Sequence, residues 1–309
     1  MTDRINPDDY RITTKNRHQR PVEPATQRRQ PKREPSVWWS TLNDLGIQPS
    51  KALGQNFLHD RGIVRRIAEA AEISGDDLAV EVGPGLGVLT QELAERAGQV
   101  IAIELDHRLA AYLRERELPR TEIVESDILE TDVGRLTGGR RYIVVANLPY
   151  SVAAAAISHL LESPMPPARL VVMVQREVAE RIVAAPPSMN LLAVSVQLFG
   201  RPRIMFTIGP GAFVPAPTVE SSVIRIDVFA NPAIEPTERK AFFQMVKAGF
   251  RQKRKQLANA LASAPGLSKE IVETALIACG IDPARRAQTL SLDEWVRLHA
   301  ALTSARSDE

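Results

Sequence analysis

The sequence predicts an α/β fold in which a doubly wound, mostly parallel sheet precedes a small domain built only of helices. From Leu78 onward, apolar runs of strand length alternate with stretches of helical spacing. A glycine-rich loop follows the first of these runs directly. Past Asn231-Pro232 the strand patterns stop, and helical spacing alone continues.

The predicted strands are short, mostly apolar runs, which is typical of parallel strands covered by helices on both faces. Their predicted bounds are 78–82, 100–103, 122–125, 142–146, 170–174 and 223–228. After the first strand, Leu89, Leu93 and Ala97 recur at helical spacing. The last strand has no crossover helix after it. Ligands of such a sheet bind at the carboxyl ends of its strands.

Four helices are predicted beyond the sheet, at 237–249, 252–263, 268–279 and 291–302. Gly280 and Pro283 supply a stop and a start signal, and Ser291 forms a capping box with Glu294. We therefore divide the chain into three parts. They are an N-terminal tail at 1–49, a sheet domain at 50–230 and a helical domain at 231–309.

The composition favours a folded cytoplasmic protein. The chain has 309 residues, 44% of them hydrophobic, and one cysteine, Cys279. A single cysteine excludes an intramolecular disulfide and a cysteine-rich zinc site, which points to a reducing compartment. The five histidines lack metal-ligand spacing, so we expect no metal. No apolar run approaches the roughly 20 residues that cross a bilayer, and the N-terminus lacks a signal-peptide core, so we expect no membrane association.

The first predicted strand ends in the loop Gly83-Pro84-Gly85-Leu86-Gly87, whose glycines let the backbone approach a ligand closely. The loop lacks the spacing of the dinucleotide fingerprint. Three carboxylates, Glu81, Glu104 and Asp127, stand at or near successive strand ends. Each alone is as often a solvated carboxylate. Together they suit the ammonium, ribose and adenine amine of S-adenosylmethionine, whereas they would repel a pyrophosphate.

The tetrapeptide Asn147-Leu148-Pro149-Tyr150 predicts methylation of an amino nitrogen on a nucleic-acid base. An exocyclic adenine amine is a poor nucleophile, because its lone pair is delocalised into the ring. The Asn147 carbonyl, beside a main-chain carbonyl, can accept both amine hydrogens and orient that lone pair. Pro149 fixes the turn that aims the backbone carbonyl, and Tyr150 offers a ring face to a flipped base. In isolation such a tetrapeptide is more often a plain turn, but the glycine loop before it reverses that preference.

Three further segments are candidates for the site. Gln55-Asn56-Phe57-Leu58 either closes over the cofactor or caps the helix that follows. Phe213, in the proline-rich loop at 210–217, is either the second face of a base sandwich or a buried loop anchor. The densest basic cluster either contacts RNA phosphates or forms a solvated face. Its members are Arg251, Lys253, Arg254 and Lys255.

Most of the excess positive charge lies in the tail. Residues 1–40 hold nine Lys and Arg against five Asp and Glu, which leaves 30 against 32 in the rest of the chain. Residues 1–36 are rich in Pro, Arg, Gln and Thr and are predicted to be disordered. Three interpretations of the tail are open: a basic arm that contacts RNA, a solvated tail, or an organelle-targeting peptide. The acidic residues of the tail disfavour the third. The nearly neutral remainder must bind nucleic acid through local patches.

Over about residues 50–302 the chain resembles the KsgA family of ribosomal RNA adenine N6-dimethyltransferases. The matching motifs are Leu53-Gly54-Gln55-Asn56-Phe57-Leu58, Glu81-Val82-Gly83-Pro84-Gly85, Ile103-Glu104-Leu105-Asp106, Ser126-Asp127, Asn147-Leu148-Pro149-Tyr150, Gln175-Arg176-Glu177-Val178, Phe213-Val214-Pro215-x-Pro217-x-Val219-x-Ser221, Phe250-Arg251-Gln252-Lys253-Arg254-Lys255 and Gly280-Ile281-Asp282-Pro283. One departure is Met189-Asn190, where the family usually has Tyr-Gly. The resemblance implies a Rossmann-like methyltransferase sheet.

The resemblance also implies the roles of the site residues. Asn147 would orient the target amine within the tetrapeptide completed by Leu148 and Pro149, while Tyr150 and Phe213 would stack the flipped adenine. The expected S-adenosylmethionine contacts are Asn56, Leu58, Gly83, Gly85, Glu104, Asp127 and Asn147. The family adds two methyls to each of two adjacent adenines near the 3′ end of small-subunit rRNA. We therefore expect a monomer that acts on a pre-formed 30S-type particle.

Two other functions remain open from the sequence. The related erythromycin-resistance methyltransferases modify large-subunit rRNA, although Leu148, the 54–58 segment and the 250–255 motif favour the KsgA side. A second alternative is an RNA-binding factor that checks small-subunit assembly with little catalysis. Intact Asn147 and Tyr150 argue against a pure binding module.

Overall fold

The computed structural model describes residues 37–49, 56–252, 254–263 and 267–307. The compact unit that they form begins at Val37. Its strands are β1 Phe57–Leu58, β2 Leu78–Val82, β3 Gln99–Glu104, β4 Thr121–Glu125, β5 Tyr142–Asn147, β6 Arg169–Gln175, β7 Gly200–Ile208, β8 Phe213–Val214 and β9 Ser221–Val228. Its helices are α1 Val37–Asp44, α2 Arg61–Ala71, α3 Val88–Arg96, α4 His107–Glu115, α5 Val133–Leu136, α6 Ala153–Glu162, α7 Arg176–Ile182, α8 Leu191–Gln197, α9 Arg239–Arg251, α10 Leu257–Leu261, α11 Lys269–Ala278 and α12 Leu292–Ser307.

Seven strands form one mostly parallel sheet in the order β4-β3-β2-β5-β6-β9-β7. The strands from β4 to β6 are parallel, whereas β9 runs antiparallel to both β6 and β7. The chain builds outward in one direction from β2 to β4 and in the other from β5, so β2 and β5 flank the switch point. Ligands of open α/β sheets bind outside the carboxyl ends of the strands at this point.

The predicted α/β class with a helical C-terminal region is confirmed, but strand β7 was missed. Most of its side chains are exposed and it carries Pro202 between Arg201 and Arg203, a pattern unlike the apolar runs of the central strands. Proline lacks an N–H and is tolerated in a strand at the edge of a sheet, which is where β7 lies. Strands β1 and β8 are only two residues long and pair with each other antiparallel.

Apolar side chains cover both faces of the sheet. Helices α2 and α3 pack on one face, where Val64, Ile67 and Leu93 are buried. On the other face, α6, α8 and the C-terminal helices share one core with the strands, which includes Ile157 and Phe242. The central strands are buried on both sides, which explains their nearly continuous apolar sequence.

Helices α9 and α11 begin and end within two residues of their predicted bounds, whereas α12 continues to Ser307 instead of ending at 302. Helix α10 covers Leu257–Leu261 rather than 252–263, and the Leu257 N–H donates to the Arg285 carbonyl at 2.7 Å. The predicted capping box is present, since Glu294 accepts from the Ser291 N–H at 2.8 Å and Ser291 Oγ from the Glu294 N–H at 3.2 Å. Among the described helices, none is long and apolar enough to cross a membrane.

The predicted tail at 1–49 is too long, because its last part is folded. Residues 37–44 form α1, and Leu42 and Ile47 are buried against Leu86 and Leu109. These apolar contacts offset the cost of ordering the segment, which composition alone underrates. Residues 1–36 lie outside the described residues, so the prediction for them stays a prediction.

The Met189-Asn190 pair, which departs from the family pattern, has a structural role. Met189 is 3% exposed, and its N–H donates to the Gln288 carbonyl at 3.0 Å. Asn190 caps α8, because its Oδ1 accepts from the Ala193 N–H at 3.1 Å. The pair therefore ties the start of α8 to the C-terminal helical region.

Candidate active site

A cleft opens at the carboxyl ends of β2, β3 and β5, at the switch point of the sheet. Its cavity measures about 90 Å³. Its lining combines the predicted glycine loop, carboxylates, tetrapeptide and 56–58 segment. The lining includes Asn56, Leu58, Glu81, Gly83, Gly85, Glu104, Asn147, Leu148, Pro149 and Tyr150. Because drug-sized ligands fill roughly 300 Å³ or more, a bound nucleoside must also extend beyond this cavity or widen it.

The glycine loop turns sharply between β2 and α3. Gly83, Gly85 and Gly87 have φ values of 70°, 59° and 78°, in the left-handed region that favours glycine. A Cβ on Gly85 would stand 3.0 Å from the Phe57 ring, so a side chain here would push this wall of the cleft outward by a few tenths of an ångström. The loop thus keeps backbone, rather than side chains, against the cleft.

Glu81 is the most deeply buried charged side chain of the cleft, with 1% exposure. Desolvation by burial raises the pKa of its carboxyl to about 8, the nearby Thr90 hydroxyl opposes the rise, and Glu104 adds to it. Its Oε2 has no hydrogen-bond partner among the described residues. A buried oxygen without a partner costs free energy, so this atom is suited to accept from a bound ligand.

Glu104 holds the loop from the end of β3. Its Oε2 accepts from the Gly85 N–H at 3.1 Å, and its Oε1 accepts from the Asp106 N–H at 3.0 Å. Burial raises the pKa of this carboxyl, while those two backbone N–H groups oppose the rise. Glu104 therefore links the glycine loop to the neighbouring strand end.

The tetrapeptide leaves β5 directly beside the loop. Asn147 Nδ2 donates to the Asn56 carbonyl at 3.1 Å. With the amide in this orientation, Asn147 Oδ1 has no partner among the described residues and remains an available acceptor. The Pro149 carbonyl accepts from the Val152 N–H at 3.1 Å, which closes the turn.

Tyr150 is half-buried at the rim of the cleft. Its hydroxyl lies 2.6 Å from Ser221 Oγ at the start of β9, and burial raises the pKa of the phenol. Ser221 was not predicted as a site residue, because its contact depends on the antiparallel register of β9 against β6. The signal in the sequence was its place as the last residue of the family motif that begins at Phe213.

The donor set of the cleft fits S-adenosylmethionine. At the positive-φ glycines, the loop presents backbone atoms rather than side chains to a ligand. Glu81 and Glu104 add two carboxyl groups close to the strand ends. The unpartnered Glu81 oxygen matches the hydroxyl and ammonium donors of such a cofactor. Asn56, Leu58, Gly83 and Gly85 are available to hold it from the opposite walls.

Two predicted site residues lie outside the lining of the cavity. Asp127 follows β4, and its Oδ1 accepts from the Leu129 N–H at 2.9 Å. Phe213 is 3% exposed, pairs with Leu58 across β1 and β8, and packs in the core under α2. Its ring therefore has no open face for a base in this conformation. Both assigned roles stay predictions.

The basic cluster at the end of α9 is partly described. Arg251 ends that helix, and Arg254 and Lys255 follow it, all three of them exposed. None of these three forms an ion pair within the described part of the chain, so their charges are available to an anion. Lys253, like Gln55 of the 55–58 segment, lies outside the described residues.

Known proteins of similar sequence identify the family of this chain. The family model for ribosomal RNA adenine dimethylases matches residues 47–304. The chain is 43% identical over 255 residues to ribosomal RNA small subunit methyltransferase A of Dehalococcoides mccartyi, with 82% of this chain and 88% of that protein covered. It is 42% identical over 265 residues to the Geobacter metallireducens protein of the same name, with 83% and 96% covered.

Solved structures show the same fold. The 23S rRNA methyltransferase ErmE superposes with a TM-score of 0.65 at 29% identity, over 80% of this chain and 100% of that one. A dimethyladenosine transferase from Plasmodium falciparum superposes with a TM-score of 0.69 at 22% identity, over 78% and 95%. The family match spans both the sheet and the C-terminal helices, and the chain belongs to the ribosomal RNA adenine dimethylase family of methyltransferases.

Proposed function

We propose that this enzyme methylates N6 of adenine in small-subunit rRNA, and that it adds two methyls to each of two adjacent adenines near the 3′ end. The observation that carries the proposal is Asn147, whose Nδ2 bonds to the Asn56 carbonyl and whose Oδ1 has no partner in the described part of the chain. The names of relatives at 40 to 43% identity support the choice of the small subunit.

Asn147 Oδ1 would accept one hydrogen of the adenine amine, and a main-chain carbonyl of the tetrapeptide would accept the other. Holding both hydrogens directs the nitrogen lone pair toward the electrophile, which provides the orientation that this weak nucleophile lacks. The turn closed by Pro149 and Val152 holds the backbone in place. The methylated nitrogen then carries an acidic proton that solvent can take, so no general base is required.

Tyr150 would stack on the flipped adenine, and its bond to Ser221 fixes the ring at the rim of the cleft. Phe213 would supply the second face of the base sandwich. Because Phe213 is buried in this conformation, its role requires the short β1–β8 pairing to shift when RNA binds.

When bound, S-adenosylmethionine supplies an electrophilic methyl group, so the reaction needs no metal. Glu104, Glu81 and the glycine loop would hold this cofactor from the ends of β2 and β3, with Asn56 and Leu58 on the opposite wall. Asp127 would contact the adenine of the cofactor from the end of β4. The N–H of the adjacent Ser126 donates to the Glu104 carbonyl at 3.0 Å, which holds this end of β4 beside β3.

The proposed partner is small-subunit rRNA within a pre-formed 30S-type particle, bound by a cytoplasmic monomer. Arg251, Lys253, Arg254 and Lys255 would contact phosphates. The proposed division into a methyltransferase domain at 50–230 and an rRNA-binding domain at 231–309 follows the change from sheet to helices.

A large-subunit target is the second candidate, raised by the 29% identity to ErmE but not favoured, because relatives at 40 to 43% identity are named for the small subunit. Incubating the protein with labelled S-adenosylmethionine and, separately, unmethylated small and large subunits discriminates the two. We expect dimethyladenosine near the 3′ end of small-subunit rRNA, mapped by primer-extension stops. Label on large subunits alone would contradict the proposal, and tight small-subunit binding without label would favour an assembly factor.

A further inference from the structure

The edge of the sheet that carries β7 holds an exposed, arginine-rich surface that the proposed reaction does not use. This α2–β7 surface comprises Arg61, Arg65 and Arg66 of α2 and Arg201, Arg203 and Phe206 of β7. All five arginines are exposed and Phe206 is half-buried. The surface lies across the sheet from the C-terminal helices, because α2 packs on the opposite face.

Strand register places the β7 side chains on the α2 side of the sheet. Arg203 stands opposite Arg225, whose Nη1 donates to the Ala70 carbonyl in the last turn of α2 at 3.2 Å. Phe206 stands opposite Val223, which packs in the core under α2. Directly opposed residues of an antiparallel pair share one face. The Arg66 guanidinium lies 3.9 Å above the Phe206 ring and joins the two elements.

Most of these arginines are not neutralised. Arg61, Arg65, Arg66 and Arg201 form no ion pair within the described ranges, whereas Arg203 bonds to Asp227 at 2.6 Å.

Glu69 of α2 is exposed and offsets one positive charge, whereas the other nearby carboxylates are already bonded. Asp227 also bonds to Arg169 and Arg225, and Glu72 bonds to the same two arginines. Asp60 caps the first turn of α2. The surface therefore keeps a net positive charge.

The surface starts at the candidate active site. Helix α2 begins just after Leu58, which lines the cleft, and the intervening His59 N–H donates to the Ala212 carbonyl at 3.0 Å. Strand β7 ends at Ile208 opposite Ser221, the partner of Tyr150. From there, the nine residues of β7 run about 26 Å to its other end, at about 3.3 Å per residue. The arginines thus mark a track that leads away from the cleft.

We propose that the α2–β7 surface binds backbone phosphates of the substrate rRNA, so that the enzyme holds RNA on both faces of its sheet. Arginine guanidinium groups match phosphate geometry, and basic tracks interleaved with an aromatic ring are typical of single-strand binding. This inference rests on the proposed rRNA substrate and adds a contact surface to it.

The test removes three of these charges in the variant Arg65→Gln, Arg66→Gln, Arg201→Gln. Its matched control is Arg135→Gln, Arg140→Gln, Arg141→Gln, which removes three exposed charges from α5 and the segment before β5, on the face of the sheet away from α2. The measurement is the dissociation constant for small ribosomal subunits and for protein-free small-subunit rRNA, over a range of salt concentrations.

We expect the test variant to bind both RNAs at least about 10-fold more weakly, with a salt slope less steep by roughly 0.7 to 0.9 for each phosphate that it no longer neutralises. The control variant should bind like the wild type. Equal binding by test variant and wild type, or equal weakening in both variants, would overturn the proposal. Weakening on particles but not on free rRNA would also overturn it and would assign the surface to a ribosomal protein instead.

Two further measurements distinguish a loss of phosphate contacts from structural damage to the variant and from failure of the proposed function. The variant with lysine at the same three positions should keep most of the affinity, because phosphate contact needs the charge. Lysine as damaging as glutamine would mean that the loss is structural and would refute phosphate binding. Failure of the wild type to methylate small subunits would refute the proposed function, while the binding assay would still report on this surface.

Discussion

Two buried carboxyls control the electrostatics of the cleft. Glu104 has its oxygens bonded to backbone N–H groups, which favour its charged form, whereas Glu81 has an oxygen without a described partner. Burial raises the pKa of both. Glu81 therefore holds its proton near neutral pH, and a cationic or hydroxyl donor in the cleft would favour its ionisation.

The Glu81→Gln variant should be less sensitive to pH than the wild type. The folded-state pKa of about 8 lies above the ordinary value of 4.5, so between these values the unfolded chain loses a proton that the folded chain keeps. Wild-type stability consequently falls as pH rises from 4.5 to 8, by up to a few kcal/mol, and levels off above.

Urea unfolding at about pH 5, 7 and 8 measures this effect, since these values span the range between the two pKa values. The free energy of unfolding of Glu81→Gln should decline less over the range than that of the wild type. Glu95→Gln, an exposed change on the neighbouring α3, should retain the wild-type slope. An equally steep decline in Glu81→Gln would rule out a raised pKa as the cause.

At the scale of elements, the short β1–β8 pairing joins the cofactor wall to the proposed base-stacking loop. Phe57 pairs with Val214 and Leu58 with Phe213. The Asn56 carbonyl accepts a hydrogen bond from the Asn147 side-chain amide. Phe57 in turn packs against Gly85. A change in the glycine loop should therefore reach both the cofactor wall and the RNA side of the cleft.

Gly85→Ala tests this coupling, with Gly138→Ala as its matched control. Both glycines have positive φ, 59° and 64°, so each alanine should cost about 1 to 2 kcal/mol of stability. Only Gly85 has a neighbour that a Cβ would strike, since nothing lies within 4 Å at Gly138.

Cofactor affinity should consequently fall in Gly85→Ala and stay unchanged in Gly138→Ala. Isothermal titration with S-adenosylmethionine, beside denaturant unfolding of both variants, makes the comparison. Equal cofactor affinities in the two variants would show that the contact with Phe57 does not shape the cleft.

The elements differ in how well their sequence predicts them. The central strands were predicted within one or two residues, because burial on both faces leaves an apolar run. Strand β7, with Pro202 and its arginines, has the pattern of a loop, and its pairing with β9 depends on distant residues. For the same reason the Tyr150–Ser221 bond and the burial of Phe213 could not be predicted. By contrast, the meeting of Glu104 and Asn147 with the glycine loop at one edge follows from the parallel topology.

Over the whole molecule, charge lies in patches on both faces of a nearly neutral unit. The C-terminal helices share one core with the sheet, and Arg251, Arg254 and Lys255 project at the end of α9. The α2–β7 surface lies on the other face. RNA affinity should therefore depend on two separable sets of contacts.

Replacing Arg251, Arg254 and Lys255 by glutamine should weaken binding to small subunits and flatten its salt dependence. The slope should fall by roughly 0.7 to 0.9 log units per tenfold change in salt for each phosphate that the variant no longer neutralises. Filter binding at several salt concentrations measures the slope, beside the Arg135, Arg140 and Arg141 variant. A slope like that of the wild type would mean that these charges are only solvated.

Methyl transfer by Asn147→Ala tests the role of the cleft most directly. The variant and the wild type are given labelled S-adenosylmethionine and unmethylated small subunits, with the exposed Asn259→Ala as control. Without the oriented carbonyl, transfer should slow by at least about 100-fold, while unfolding and particle binding stay near those of the wild type. Transfer at the wild-type rate by Asn147→Ala would contradict the assignment of this cleft as the site of methylation.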